Sequence, residues 1–212
     1  MAEGQSGLTP LVFTQGLVEH LSHVQVSEEG IREAKKFVRE RRDLRNEPSD
    51  RKGYEYVVER LLRPQITKYA EDELCIPRSD SHRHIYSSHF HTTNDGQSEW
   101  RTRWQNFKRA HPEVDTDDDG HSRRADLFIS VGKAGLVSIE FKYLRAKCKP
   151  AALGCVRQIR QHLTKHRACV LVLYAATPMS VGLQGTTREI RDDLRSANGF
   201  VVVMAGPPVE FH

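Results

Sequence analysis

The chain lacks any run approaching the roughly 20 apolar residues that a membrane-spanning helix needs, so no membrane association is expected. Its four cysteines, at positions 75, 148, 155 and 169, include no CxxC pair. That spacing argues against a zinc ribbon and a disulfide scaffold, and fits reduced thiols. Met1 to Thr9 lack the basic start and apolar stretch of a secretory leader, which makes a cytoplasmic location the expectation. Internal repeats and low-complexity segments are also missing. Excess charge is scarce: 32 Lys and Arg against 28 Asp and Glu leave +4, which permits a polyanionic partner without demanding one. What remains is ordinary, since 38% apolar residues in a chain of 212 suffice for one domain with a proper core.

Residues 1–50 read as an N-terminal helical arm and 51–212 as the main domain. Within the arm, Leu11, Val12, Leu17, Val18 and Leu21 give 8–26 the apolar side of a helix. Ser27 reads as the N-cap of a second helix with Glu28 and Glu29 in its first turn, and Pro48 ends it. Its cations Arg32, Lys35, Lys36, Arg39, Arg41, Arg42 and Arg45 are interleaved with Glu33, Glu40 and Asp43. Such a pattern suits either a solvated face or contact with DNA.

Tyr54, Val57, Val58, Leu61 and Leu62 predict a third helix over 53–66. A polar insertion over 76–124 follows, with a strand expected around His84 to Phe90. Ser98 is read as the cap of a helix to about Arg109, with Trp100, Trp104 and Phe107 on one side as core. Pro112 and the acidic run Asp115 to Gly120 break it. The second half is plainer. Strands are predicted at 125–131, 136–144, 168–175 and 200–204, and helices at 150–166 and 186–197. The order gives an α/β fold with a mixed central sheet flanked by helices.

The first two of these strands form a hairpin around Gly132-Lys133-Ala134-Gly135. Side chains alternate along a strand, so Leu127, Ile129 and Val131 share one face with Val137, Ile139 and Phe141 if the apolar sides are paired. That face is expected to be core, and the other to carry Asp126, Glu140 and Lys142. Pairing of this kind needs an odd loop, for example Lys133-Ala134-Gly135 with Gly135 left-handed. Asp126 then lies opposite Lys142 with Glu140 as its diagonal neighbour. Two carboxylates so close repel unless a cation lies between them, and oxygen ligands suit Mg²⁺ or Mn²⁺. Such an ion would acidify its water and stabilise charge on a phosphoryl oxygen, with a lysine alongside to assist. A surface charge cluster on an exposed strand has the same letters.

Asp126, followed after thirteen residues by Glu140-Phe141-Lys142 in "VSIEFKYL", resembles the PD-(D/E)xK signature of the restriction-endonuclease-like nuclease superfamily. Ala125 stands where the name has proline. The resemblance spans roughly residues 52 to 175 in its order of helices and strands. It implies a restriction-endonuclease-like core, with Asp126, Glu140 and the Phe141 carbonyl as metal ligands and Lys142 as catalytic lysine. It further implies a glutamine on the helix after the lysine, Gln158 or else Gln161, and a glutamate on the first core helix, Glu55 or else Glu59. His162 stands where some relatives carry tyrosine. The implied activity is Mg²⁺- or Mn²⁺-dependent hydrolysis of phosphodiester bonds, most simply in DNA, by an endonuclease or exonuclease. Many relatives cut as homodimers. The alternative is a nucleic-acid-binding or assembly subunit that keeps the fold without cutting.

Arg123 and Arg124, just before Asp126, and Arg101 and Arg103 on the preceding helix are candidates for gripping a phosphate backbone. Asp115 to Gly120 also matches the opening of an EF-hand loop, with Asp126 at its twelfth position. A strand follows where that motif needs a helix, and Ser122 replaces its apolar residue, so an acidic loop is the reading taken. His82, His84, His89 and His91 form two His-x-His pairs, without the fixed turn that zinc ligands usually have between them.

Overall fold

A proline in the first turn and a threonine before it open the first helix, because a helix start has amides with no partner and tolerates a missing one. Thr9 Oγ1 accepts from the Val12 amide at 3.3 Å, and α1 runs Pro10–Ser22. The computed structural model describes residues 8–40, 50–87, 97–114, 125–144, 156, 159–160, 167–176, 181–195 and 199–209. Helix α2, Glu28–Glu40, starts as the sequence predicts, with the Gly30 amide donating to Ser27 Oγ at 3.1 Å. Pro48 lies outside the described residues. Residues Phe13, Leu17 and Leu21 of α1 and Ile31, Ala34 and Val38 of α2 join the same buried core as the sheet.

Helix α3 spans Asp50–Glu73, longer at both ends than the predicted 53–66, and contains Pro64. Pro64 removes one intrahelical hydrogen bond. The helix continues because Ile66 and Ala70 beyond it are fully buried, and burial of an apolar face outweighs local propensity. A 3₁₀ turn at Arg78–Asp80 and one helical turn at Ser81–His84 lead into β1, Ile85–Ser87. Helix α4 is Gln97–Ala110. Strands β2, Leu127–Ser130, and β3, Leu136–Leu144, form the hairpin; β4, Ala168–Ala176, helix α5, Val181–Arg195, and β5, Gly199–Gly206, follow. Of the helix predicted over 150–166, Val156, Ile159 and Arg160 are described and helical.

Among the described residues, five strands lie in the order β1-β2-β3-β4-β5, antiparallel from β1 to β3 and parallel from β3 to β5. This is an α/β architecture with a mixed sheet. Parallel strands are covered on both faces, which accounts for the unbroken apolar run Cys169 to Ala175. Odd-numbered residues of β2 and β3 face α1, α2 and α3. Even-numbered ones, Glu140 and Lys142 among them, do not face solvent either. Phe128 and Leu136 pack with Tyr86 and Phe107, and Leu144 packs with Ile159, Leu173, Ile190 and Leu194. Helices distant in sequence supply this second layer, so Glu140 and Lys142 are buried charges.

The hairpin register also differs from the predicted one. Leu127 pairs with Ile139 and Ile129 with Val137, so odd still meets odd, but the ladder is displaced by two residues. Continued by one step, it sets Asp126 across from Glu140 rather than Lys142. The turn is a 3₁₀ turn at Gly132–Ala134, closed by the Val131 amide donating to the Gly135 carbonyl at 2.9 Å. Gly132, with φ +57°, supplies the left-handed residue; Gly135, with φ +120°, occupies a region that glycine alone adopts readily.

Candidate active site

Strands β2 and β3 pair only as far as Leu127 and Ile139, while β3 runs on to Leu144 with β4 as its partner. The hairpin is therefore open at this end, and strand amides there need acceptors from elsewhere. Asp126 meets that need: its Oδ2 accepts from the Phe141 amide at 2.7 Å, fixing the carboxylate at the mouth of the fork. Glu140 and Lys142, two apart on β3, point to one side, and Lys142 Nζ donates to Glu140 Oε1 at 2.6 Å. From α3, Glu55 Oε2 accepts from the same ammonium at 3.3 Å. Asp126 is 8% exposed, Glu140 1% and Lys142 8%.

The structure thus gathers three carboxylates and one lysine from three separated segments. One turn along α3, Glu59 is 1% exposed and accepts from Ser87 Oγ on β1 at 2.5 Å. Arg63 follows one turn later, with its pKa lowered chiefly by burial and supported by the Glu59 charge. Both alternatives for the glutamate on this helix therefore face the sheet, and Glu55 is the one that reaches Lys142. Alongside them, Tyr54 stacks on Tyr143 at 5.0 Å between ring centroids, and Tyr143 on Tyr174 at 5.9 Å. Sequence reasoning missed Ser87 and this tyrosine ladder. A short strand in a polar stretch gave no sign of the first, and period-two spacing gave no sign of the second.

Electrostatics follow from burial. The Glu140 carboxyl is pushed up to about 8, first by loss of solvent and then by the facing Asp126 charge; Lys142 works against both. Lys142 is itself held above its ordinary value. Burial would lower it, but Glu140, Asp126 and Glu55 together more than offset that. The lysine accordingly stays charged at any ordinary pH and cannot serve as a base. Beneath them the buried Cys169 thiol is pushed up to about 12, mainly by burial, which leaves it an inert packing group.

Gln158, Gln161, Arg123 and Arg124 lie outside the described residues, as do the Asp115 to Gly120 run and His89 and His91. Arg101 and Arg103 fall on α4, but their side chains, like those of Trp100 and Trp104, are not among those described. Phe107 is core, stacked on Tyr86 at 5.1 Å. His84 has its pKa lowered, chiefly by burial. Among the described residues, no group of three or more His, Cys, Asp or Glu side chains is arranged to hold a metal ion. Two carboxylates with a carbonyl fall below that number yet suffice for a hard cation that keeps several waters. The donor set is all oxygen and carries more negative than positive charge, so Asp126 and Glu140 fit Mg²⁺ or Mn²⁺ chemically. No family model, curated protein or solved structure matches the chain.

Proposed function

We propose that this chain is a metal-dependent nuclease with a restriction-endonuclease-like core, of the PD-(D/E)xK superfamily, hydrolysing phosphodiester bonds in DNA. The observation that carries the reading is the convergence of Asp126, Glu140, Lys142 and Glu55 in the open fork between β2 and β3. In this reading Asp126 and Glu140, with the Phe141 carbonyl, hold Mg²⁺ or Mn²⁺. When bound, the ion supplies Lewis-acid charge for a phosphoryl oxygen and a more acidic water.

The protein's own groups do the rest. Lys142, permanently charged and pinned by Glu55 and Glu140, presents a fixed positive charge to the negative charge that develops on the scissile phosphate. Burial pushes the Glu140 carboxyl up to about 8, so serving as a ligand would require it to be held as the carboxylate. Asp126 is oriented by the Phe141 amide, which gives its carboxylate a defined direction. The buried position of all three keeps bulk water from screening these charges.

One observation favours a second reading, a nucleic-acid-binding or assembly subunit that does not cut. Lys142 already bridges Glu140 and Glu55, an arrangement that neutralises itself without a cation. Incubation of the protein with plasmid and Mg²⁺ or Mn²⁺ separates the two. Cleavage that disappears in Asp126→Ala and Lys142→Ala supports the nuclease. Salt-sensitive binding with no cutting of any DNA or RNA form supports the subunit.

A further inference from the structure

On the first helical layer, α2 and the segment after β5 enclose a groove of ≈ 650 Å³, lined by Arg32, Lys35, Lys36 and Arg39 on one side and Pro207 and Pro208 on the other, with Ile31 as floor. The sequence hides this arrangement. Read linearly, α2 interleaves four acids with four bases over residues 28 to 40. At about 100° per residue, however, the four cations at i, i+3, i+4 and i+7 fall within about 100° of arc, next to the buried side formed by Ile31, Ala34 and Val38. Glu29, Glu33 and Glu40 gather on the flank farther from the core. Glu29 pairs with Arg32 and Glu40 with Lys36 there, both pairs well exposed and so weak and replaceable. Glu28 and Glu40 also line the groove, which therefore holds four cations against two acids, Glu40 being the one already paired with Lys36.

The groove's far wall is fixed to the same end of the sheet as the acid–lysine group. Tyr174 Oη donates to the Pro207 carbonyl at 2.8 Å, and the Val209 amide donates to Tyr143 Oη at 3.2 Å. Tyr143 is the neighbour of Lys142, and it stacks on Tyr54, the neighbour of Glu55. The tyrosine ladder therefore ties the groove to the elements that build the fork. Pro207 and Pro208 follow the carboxyl end of β5, and the fork opens toward the carboxyl end of β3, the side on which open α/β sheets bind ligands.

Resting on the nuclease reading, we infer that the α2–Pro207 groove is a binding track for a nucleic-acid sugar–phosphate backbone, leading the strand toward the fork. Charge complementarity selects this occupant. The stripe from Arg32 to Arg39 is about 10 Å long at 1.5 Å per residue, which spans about three nucleotides at 3.4 Å of axial rise per strand. Four long cationic side chains at that spacing suit a regular array of phosphates. The proline rings give a flat apolar wall without base-edge donors or acceptors, so the track grips without reading sequence.

The test measures binding of a fluorescein-labelled 20-mer, duplex and single-stranded in parallel, to the Asp126→Asn chain in EDTA, where no cleavage can occur. Lys35→Glu with Arg39→Glu leaves Ile31, Ala34 and Val38 in place. It is expected to weaken binding roughly tenfold or more, and to lower the log–log salt slope by about 1.5. Lys35→Gln with Arg39→Gln should lose less affinity with a similar fall in slope, which guards against a folding defect in the first variant. Arg188→Glu with Arg191→Glu makes the same charge change on exposed positions of α5, on the opposite layer, and should leave affinity within about twofold. Equal loss in that pair would make the effect one of overall charge and overturn the track. Unchanged affinity in the α2 variants, no binding by the parent chain, or equal displacement by polyglutamate of matched charge would overturn it as well. Because cleavage plays no part, failure here is distinguishable from failure of the nuclease reading.

Discussion

Glu140 should make the folded protein lose stability as pH rises through the neutral range, and Glu140→Gln should abolish that loss. The folded-state pKa is raised from 4.5 to about 8, so between those values the native chain holds a proton that the unfolded chain has released. Stability then falls with pH across this window, because the native state binds more protons than the unfolded one. The contribution is fully present below 4.5 and gone above about 8. At about 1.4 kcal/mol per pH unit, the loss from pH 4.5 to 7 is about 3 kcal/mol, and about 5 kcal/mol by pH 9. For a chain of this size the pH 7 figure corresponds to a Tm shift on the order of 6–12 °C. The assay is urea unfolding of wild type and Glu140→Gln from pH 5 to 8.5 with a chelator present. Lys142 remains charged throughout, so replacing its partner adds a constant offset and the difference between the two curves isolates Glu140. A difference that stays flat over this range would mean that Lys142 keeps Glu140 ionised, and the burial argument would be wrong. Adding Mg²⁺ should restore most of the lost stability at pH 8 and little at pH 5, since the cation competes with the proton.

Other substitutions probe the same geometry. Asp126→Ala leaves the Phe141 amide without its acceptor and should cost roughly 1–3 kcal/mol in chemical unfolding, whereas Asp126→Asn, whose carbonyl can still accept, should cost less than half as much while removing cation binding. Lys142→Met strips the positive charge from Glu140 and Glu55; it should destabilise by about 3–5 kcal/mol at pH 8.5 and by clearly less at pH 5, where Glu140 takes a proton instead. Gly135→Ala should cost roughly 1–3 kcal/mol, because φ is +120° and an added Cβ would lie 2.8 Å from Arg167 Cγ. Gly132→Ala, with φ +57° and open space around it, should cost about 1 kcal/mol, and thermal melts of the pair check the order.

Much of the second half of the fold was legible because its elements are bounded by residues with local reasons to stop. β3 runs from Leu136 to Leu144 as its alternation predicts, with Gly135 ahead of it. Helix α3 was read only to Ile66, because its apolar spacing thins out there; burial by distant elements carries the helix to Glu73. The site residues were legible as letters and spacing, but not their surroundings. Nothing within the hairpin signals that a second layer covers the Glu140 face, so the letters alone suited a metal-holding cleft and an exposed strand equally. The register missed by two because loop geometry turns on Gly132 rather than Gly135 adopting the left-handed conformation. Likewise, the cationic stripe on α2 is invisible in linear order, where bases and acids alternate, and emerges only when the helix is wound and docked.

Crystals of the protein soaked in MnCl₂ and measured at the manganese absorption edge bear most directly on the cation between Asp126 and Glu140. The expected result is an anomalous peak within bonding distance of both carboxylates, lost in Asp126→Asn crystals treated alike. An absent peak in the fork, with Lys142 still paired to Glu140 at saturating manganese, would contradict the metal site and the nuclease built on it.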